Sequence, residues 1–463
     1  MSTKRQNNQL ELAFTDESRS EAPKVSAEGT ERLVKDRGTE SPAIIEQLME
    51  EVVERENCKA ALKQVKANKG GPGIDGMTVD ELPEYLVQHW PTIREQLLRG
   101  TYKPQPVKRV EIPKSDGARF SAGVRKLGIP SVLDRCIQQA VMQVLQSKWD
   151  GTFSEHSYGF RPGRSTRQAI SEAQQYIVEG YRWVVDLDLE KFFDRVNHDK
   201  LMGQVAKRIA DSRMRKLIRA FLNAGVMENG LVSPTVERTP QGGPLSPLLS
   251  NLVLDELDQE LERRGHRFVR YADDCNIYIR SERAGKRVME SVVRFITDTL
   301  KLKVNSEKSA VAKPQERKFL GFSFTRHAEP KRRIAPKAIE RFKKRVREIT
   351  SRTRGVSFAK VVEELTVYLR GWRGYFGFCQ TPSVLRSLEE WVRRRLRSYL
   401  WKQWRTGGQR FAELRRRGVG LQLAAQTAGS SHGPWCLSAS PALSVAFPNA
   451  YFDSLGLPRL AVG

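Results

Sequence analysis

A chain of 463 residues with 39% hydrophobic side chains can bury a large core and should divide into two or more domains. Its 79 Lys and Arg against 54 Asp and Glu give a formal charge of +25, an excess that calls for a polyanion, either nucleic acid or an acidic membrane surface. No apolar run approaches the length of a membrane span, and the N-terminus, MSTKRQNNQLELAF, lacks the apolar core of a signal peptide, so no membrane partner and a cytoplasmic location are expected.

Residues 1–40 are polar, charge-mixed and without periodicity, and read as a disordered leader. Order is expected from Ser41-Pro42, with Ile45, Leu48, Met49 and Val52 on one helical face, a second helix to Asn68, and the turn cluster NKGGPGIDG. Val79, Leu82, Leu86, Trp90, Ile93 and Leu97 then recover helical spacing, which makes 41–105 a helical N-terminal extension. From Pro106 short strands follow: VKRVEIP, RKLGIP, RWVVDLDL, RFVRYADDCNIYIR and KFLGFSFTR, with helical stretches such as Asp134 to Trp149 between them. The expected class is α/β or α+β, a sheet covered on one side by helices over 106–330.

After Arg326 the strands are expected to stop. KRRIAPKAIERFKKRVREITSRTR carries eleven Lys and Arg against two Glu, and Trp391 to Arg417 carries ten against one. Apolar residues at 384, 388, 391, 392 and 396 define a buried helix face that would leave Arg393, Arg394 and Arg397 outward, so 331–425 reads as a helical domain with a basic surface. The tail from about Gln426 to Gly463 has its own aromatic and leucine content and reads as a small appendage.

Cys58, Cys136, Cys275, Cys379 and Cys436 are scattered, odd in number and free of CxxC spacing, so they are expected to be reduced and structural. The six histidines, among them His156, His198 and His432, show no HxxxH or HxH spacing, and no metal finger is expected.

The acidic residues are more informative. FVRYADDCNIYI holds the only Asp-Asp pair, Asp273 and Asp274, between two runs of β-formers. Neighbours in a strand face opposite ways, so both can serve one site only at or beside a tight hairpin turn. In VVDLDLEKFFDRVNHD, Asp186 and Asp188 share a strand face, with Asp194 beyond it. Clustered carboxylates repel unless a cation neutralises them, and hard oxygens suit magnesium. Two such ions would serve an in-line phosphoryl displacement, which points to nucleotidyl transfer.

These residues sit in a series of motifs that resembles the reverse transcriptases and maturases encoded in bacterial group II introns. From about Asn57 to Leu460 the series runs NKGGPGIDG, YKPQPVKRVEIPK, RKLGIPSVLDR, SYGFRPGRS, DLEKFFDRVNHD, TPQGGPLSPLLSNLVLDELD, YADD, LKVNSEKS, FLGFSF, LRGWRGYF and WVRRRLRSYLWKQW, in family order. The resemblance implies a right-hand polymerase, with fingers and an antiparallel palm in 106–330 and an all-helical thumb or maturase domain in 331–425. It makes Asp188, Asp273 and Asp274 catalytic ligands of two Mg2+ ions, with the backbone of Leu189 helping and Asp186 structural.

Lys114 and Arg125 would hold the triphosphate of an incoming dNTP, where lysine acts as a point charge and a guanidinium bonds phosphate bidentately. Phe193 would sit under the sugar and collide with a 2′-hydroxyl. Gln241 and Gly242 would lie behind the template base and nucleotide, and Lys308 could protonate the pyrophosphate leaving group. Phe319 and Gly321 of FLGFSF would grip the primer end. Arg161, Arg164, Lys343, Lys344, Arg393, Arg394 and Arg397 would contact nucleic acid through its backbone and shape.

The implied function is an RNA-directed DNA polymerase working on an RNA template with a DNA primer, which also binds its group II intron RNA to assist splicing. Many relatives carry an HNH endonuclease with cysteine pairs. This sequence has none, so it is expected to prime on target DNA from a nick or a fork. The tail resembles the short DNA-contacting region of those relatives. A splicing-only RNA chaperone has no use for three clustered acids, and a domesticated polymerase of defence or repair would lack a surrounding intron.

Overall fold

A computed structural model of the chain describes residues 47–113, 124–190, 192–228, 231–233 and 242–461, with the side chains of Arg125 and Phe193 outside the description. The expected leader and the helix start at Ser41-Pro42 with Ile45 lie outside the described residues. Two compact units emerge. The first joins the described residues through Ala169 to Val185–Val311, and the second joins Ile170–Val184 to the residues from Ala312.

The first unit begins with α1 (Leu48–Val52), α2 (Arg55–Asn68) and α3 (Leu82–Arg99). Leu82, Leu86, Trp90, Ile93 and Leu97 are the buried face of α3, the face that the spacing predicts. Strands β1 (Val107–Pro113) and β2 (Val124–Ile129) pair antiparallel, Lys108 opposite Ile129 and Pro113 opposite Val124. Helix α4 (Val132–Trp149) starts at Ser131, whose Oγ accepts from the Asp134 amide at 3.0 Å. That bond satisfies one orphan donor of the first turn. Apolar residues all round α4 are buried, so it is a core helix.

Helix α5 (Thr166–Val178) leads to β3 (Trp183–Leu187), followed by α6 (Phe192–Arg195), α7 (His198–Arg208), α8 (Ser212–Leu222), β4 (Val226–Glu228) and β5 (Leu231–Ser233). After α9 (Ser246–Arg263) come the hairpin β6 (Arg267–Tyr271) and β7 (Asp274–Ile279), α10 (Glu282–Asp298) and β8 (Ala310–Ala312). One sheet runs β2-β1-β4-β5 and another β6-β7-β3-β8. Cys275 to Ile279 are five successive buried residues, and successive residues point to opposite faces, so both faces of β7 are covered.

In the second unit a ribbon of β9 (Phe322–Phe324) and β10 (Arg332–Ile334) precedes eight helices among the described residues. They are α11 (Pro336–Ile349), α12 (Phe358–Phe376), α13 (Pro382–Gln403), α14 (Gly407–Arg416), α15 (Leu421–Ala428), α16 (Pro434–Leu437), α17 (Pro441–Ala446) and α18 (Asn449–Ser454). Strand β10 corrects the expectation that strands end at Arg326. Its Arg-Arg pair hides the signal, and only Ile334 enters the core.

One apolar core gathers Phe342, Leu365, Leu388, Leu396, Trp401, Phe447 and Phe452. The residues expected to form an appendage therefore share their core with α11, α12 and α13. They also cover the arginines of α13 that were expected to face outward. Arg393 is 5% exposed and bonds Asp453 at 2.9 Å, Arg394 lies 4.2 Å from the Trp435 ring centroid, and Arg397 Nε donates to the Phe447 carbonyl at 3.0 Å. Helical periodicity marks the apolar face of α13, but it carries no record of which polar residues a later segment will bury.

Candidate active site

Asp188 is the first residue beyond β3, and its backbone is held on one side. Its N–H donates to Ser309 Oγ at 3.0 Å and its carbonyl accepts from the Asn305 amide at 2.8 Å. Glu190 N–H donates to the Lys303 carbonyl at 2.8 Å, and Leu189 bridges Val304. In an antiparallel bridge of this type the paired residues do not bond each other, so the carbonyl of Leu189 is directed away from 303–305. Lys308 Nζ stands 3.7 Å from Asp188 Oδ1.

Asp273 and Asp274 are exposed at the β6–β7 turn. Tyr271 pairs with Asp274, so Ala272 and Asp273 are the two loop residues, the tight turn that two neighbouring acids require. Ala272 has φ +57°, an uncommon conformation for a residue with a Cβ. β7 adjoins β3 in the sheet, and this adjacency is what brings the turn to the strand that precedes Asp188. Asp186 takes a different partner. With its amide oriented to satisfy both ends, buried Asn276 donates to Asp186 Oδ1 at 3.1 Å.

Four further residues that sequence reasoning passed over hold the turn. Arg270 has no exposed side chain, and neither has its partner Asp258. Arg270 Nε donates to Asp258 Oδ1 at 2.7 Å, and its Nη1 donates to the Ala272 carbonyl at 2.9 Å and to Asn251 Oδ1 at 3.0 Å. Asn251 Nδ2 in turn donates to the Gly159 carbonyl at 2.8 Å. A Cβ on Gly159 would lie 2.3 Å from the Ala272 nitrogen, so only glycine lets this loop touch the turn. One signal was present in the sequence: an arginine amid the apolar residues of FVRY.

Several expected contacts have other occupations. Arg161 is 7% exposed, with Nε on Asp150 Oδ1 at 2.9 Å and Nη1 on the Ser157 carbonyl at 3.0 Å. Arg164 bonds the Glu155 carboxylate and lies over Tyr158. Both therefore shape the loop that carries Gly159.

Gly242 is exposed with φ +141°, and a Cβ there would come 2.5 Å from the Gly128 carbonyl. Lys114 and Gln241 lie outside the described residues, while Arg125 lies in β2 and Phe193 in α6. Leu320 and Gly321 have φ +50° and +79°, a type I′ turn closed by Phe322 N–H to the Phe319 carbonyl at 2.9 Å. Lys344 is exposed, and Lys343 lies over the Trp391 ring.

Among the described residues no three Asp, Glu, His or Cys side chains stand close enough together to enclose a metal. What fits a hard divalent cation is the donor chemistry: carboxylate oxygens, solvent-accessible at Asp273 and Asp274, at the ends of neighbouring strands. The cysteines are free, and burial pushes the Cys58, Cys136 and Cys275 thiols up, which makes them unreactive. No helix among the described residues is long and apolar enough to cross a membrane.

Residues 112–324 match the reverse transcriptase (RNA-dependent DNA polymerase) model, and residues 339–418 match the group II intron maturase-specific domain. Protein YkfC of Escherichia coli is 31% identical over 323 residues, 61% of this chain and 82% of YkfC. The group II intron-encoded protein LtrA of Lactococcus lactis is 31% identical over 329 residues, 57% of this chain, which spans about half of LtrA's length (54%). Among solved structures, a partial Cas6-RT-Cas1–Cas2 complex is 24% identical with a TM-score of 0.35, covering 54% of this chain and 43% of that one.

Proposed function

This chain belongs to the family of group II intron-encoded reverse transcriptases and maturases, and on that premise we propose that it copies its intron RNA into DNA at Asp188, Asp273 and Asp274 and assists that RNA in splicing. The family depends on divalent metal, and two Mg2+ ions, when bound, would supply the charge that stabilises the attacking and leaving oxygens. The observation that carries the reading is the adjacency of β7 to β3, with carboxylates at the β6–β7 turn and just beyond β3.

Asp188, Asp273, Asp274 and the Leu189 carbonyl would hold the ions. Lys308, whose Nζ stands 3.7 Å from Asp188 Oδ1, would donate a proton to the leaving pyrophosphate. Lys114 and Arg125 bind the triphosphate of a dNTP, Gln241 and Gly242 line the template side, and the Phe319–Phe322 turn receives the primer end. By this reading 106–330 is fingers and palm and 331–425 is thumb, and target DNA supplies the primer in the cytoplasm.

The test is extension of a DNA primer on an RNA template. Wild type should extend with dNTPs and magnesium, and Asp188→Asn should not. Equal extension by the two would remove Asp188 from the chemistry.

A further inference from the structure

Among the described residues, the strand that follows the Phe319–Phe322 turn pairs outside the sheet that ends at the aspartates. β9 and β10 form a two-stranded ribbon of their own in the second unit, Phe324 opposite Arg332 and Phe322 opposite Ile334. The turn therefore belongs to the helical unit, and the contacts that fix it come from there.

A type I′ turn asks both central residues for positive φ, and Leu320, at +50°, carries a Cβ that disfavours it. Two bonds hold the central carbonyls in place. Tyr375 Oη donates to the Leu320 carbonyl at 2.8 Å, and Ala335 N–H donates to the Gly321 carbonyl at 2.9 Å. Aromatic packing completes the seat. The Phe322 ring meets those of Tyr375 and Phe376 at 5.9 and 5.4 Å between centroids, and a Cβ on Gly321 would come 3.2 Å from the Phe376 ring.

The other strand of the ribbon is clipped to the same helix end. Gln380 N–H donates to the Arg332 carbonyl at 2.8 Å, Arg332 N–H donates to Gln380 Oε1 at 3.0 Å, and the Arg332 guanidinium lies 3.9 Å from the Phe378 ring centroid. Tyr375 and Phe376 are the last residues of α12, whose Val361, Leu365, Leu369 and Trp372 are buried in the core of the unit. With 36% of Tyr375 exposed, its ring adds little to that core, so the bond to Leu320 is what a tyrosine supplies here and a phenylalanine would not.

We propose that Tyr375 is a positioning residue for the primer end: its hydroxyl sets the Leu320 peptide and so ties the turn to the end of α12. The proposal rests on the reading above that this turn receives the primer, and it names the group outside the turn that fixes its geometry. Tyr375 acts through the Leu320 carbonyl rather than on the reacting atoms. Without the hydroxyl the strained Leu320 peptide is released on one side, and a primer end that shifts with it loses its alignment for attack.

The experiment measures single-nucleotide extension of a DNA primer on an RNA template by the full chain at saturating dNTP and magnesium, with template–primer affinity and urea unfolding followed on the same proteins. Tyr375→Phe, which removes only the hydroxyl, should lower the rate roughly fivefold, the worth of one net hydrogen bond, with template–primer affinity kept. Tyr399→Phe is the control, because its hydroxyl donates to the Val356 carbonyl at 2.6 Å in the same unit, and its loss should leave the rate per folded molecule unchanged. An unchanged rate in Tyr375→Phe, or an equal fall in Tyr399→Phe, overturns the role. A loss of affinity at an unchanged rate makes Tyr375 a nucleic-acid contact and overturns it as well. Gly321→Ala tests the parent reading by itself, since at φ +79° and 3.2 Å from Phe376 its Cβ strains the turn directly. Unchanged extension in that variant removes the turn from the primer end, whereas a fall there beside an unaffected Tyr375→Phe overturns the tyrosine alone.

Discussion

The guanidinium of Arg270 and the carboxylate of Asp258 meet at 2.7 and 2.5 Å with no solvent exposure on either side chain, one residue ahead of the turn that carries Asp273. An ion pair in such surroundings barely offsets its own desolvation, so its value lies in geometry: the same guanidinium holds the Ala272 carbonyl. Removing one partner strands a buried charge. Asp258→Ala should therefore lose about 3–5 kcal/mol in urea unfolding. Replacing both, as Arg270→Met with Asp258→Leu, should recover most of that stability while primer extension stays low. Recovery of extension together with stability would mean that the pair does not position the turn.

Gly159 tests the same turn from outside. The neighbouring atom is backbone nitrogen, which cannot swing away as a flexible side chain could, so Gly159→Ala must push the Ala272 loop. A displacement of about 1 Å costs on the order of a hundredfold in rate. Extension should fall by that order with template–primer binding kept, and an unaltered rate would show that the loop yields without moving Asp273.

Asp255, on α9 beside Asp258, gives a pH dependence. Burial pushes its carboxyl up to about 6, against the pull of Arg208 at 2.7 Å, with Asp258 raising it further and Arg270 opposing. The folded protein then binds a proton between about pH 6 and 4 that the unfolded chain does not. This group's contribution to stability rises as pH falls through that window and is lost above it. Asp255→Asn, always neutral, should gain on wild type from pH 4.5 to 7.5 by an amount on the order of 2 kcal/mol in urea unfolding. A constant difference would place the carboxyl in its ordinary range.

Phe193 follows one residue after the buried Phe192 on the short helix α6. If its ring excludes the 2′-hydroxyl, Phe193→Ala should raise incorporation of ribonucleotides relative to dNTPs by at least tenfold. An unchanged ratio in single-nucleotide extension would assign the exclusion to another group.

Local chemistry was the legible part. The β-formers around YADD required a hairpin for two neighbouring acids to act together, and Ser131 with Asp134 opens α4 close to where the pattern places it. What sequence spacing could not supply was tertiary burial. Arg161, Arg393, Arg394 and Arg397 look alike on paper to Lys344, yet Asp150, Asp453, Trp435 and the Phe447 carbonyl claim the first four. Arg270 sits in a strand whose neighbours are apolar, and only the fold brings Asp258, Asn251 and Ser157 to it.

The most direct measurement is primer extension on an RNA template across a magnesium titration, comparing wild type with Asp273→Ala, Asp274→Ala. Wild type should be silent without magnesium and extend to saturation with it, while the double variant binds template–primer and extends at no concentration. Extension by the double variant at the wild-type rate, or a wild type equally inactive on every template, would contradict the assignment of these aspartates to nucleotidyl transfer.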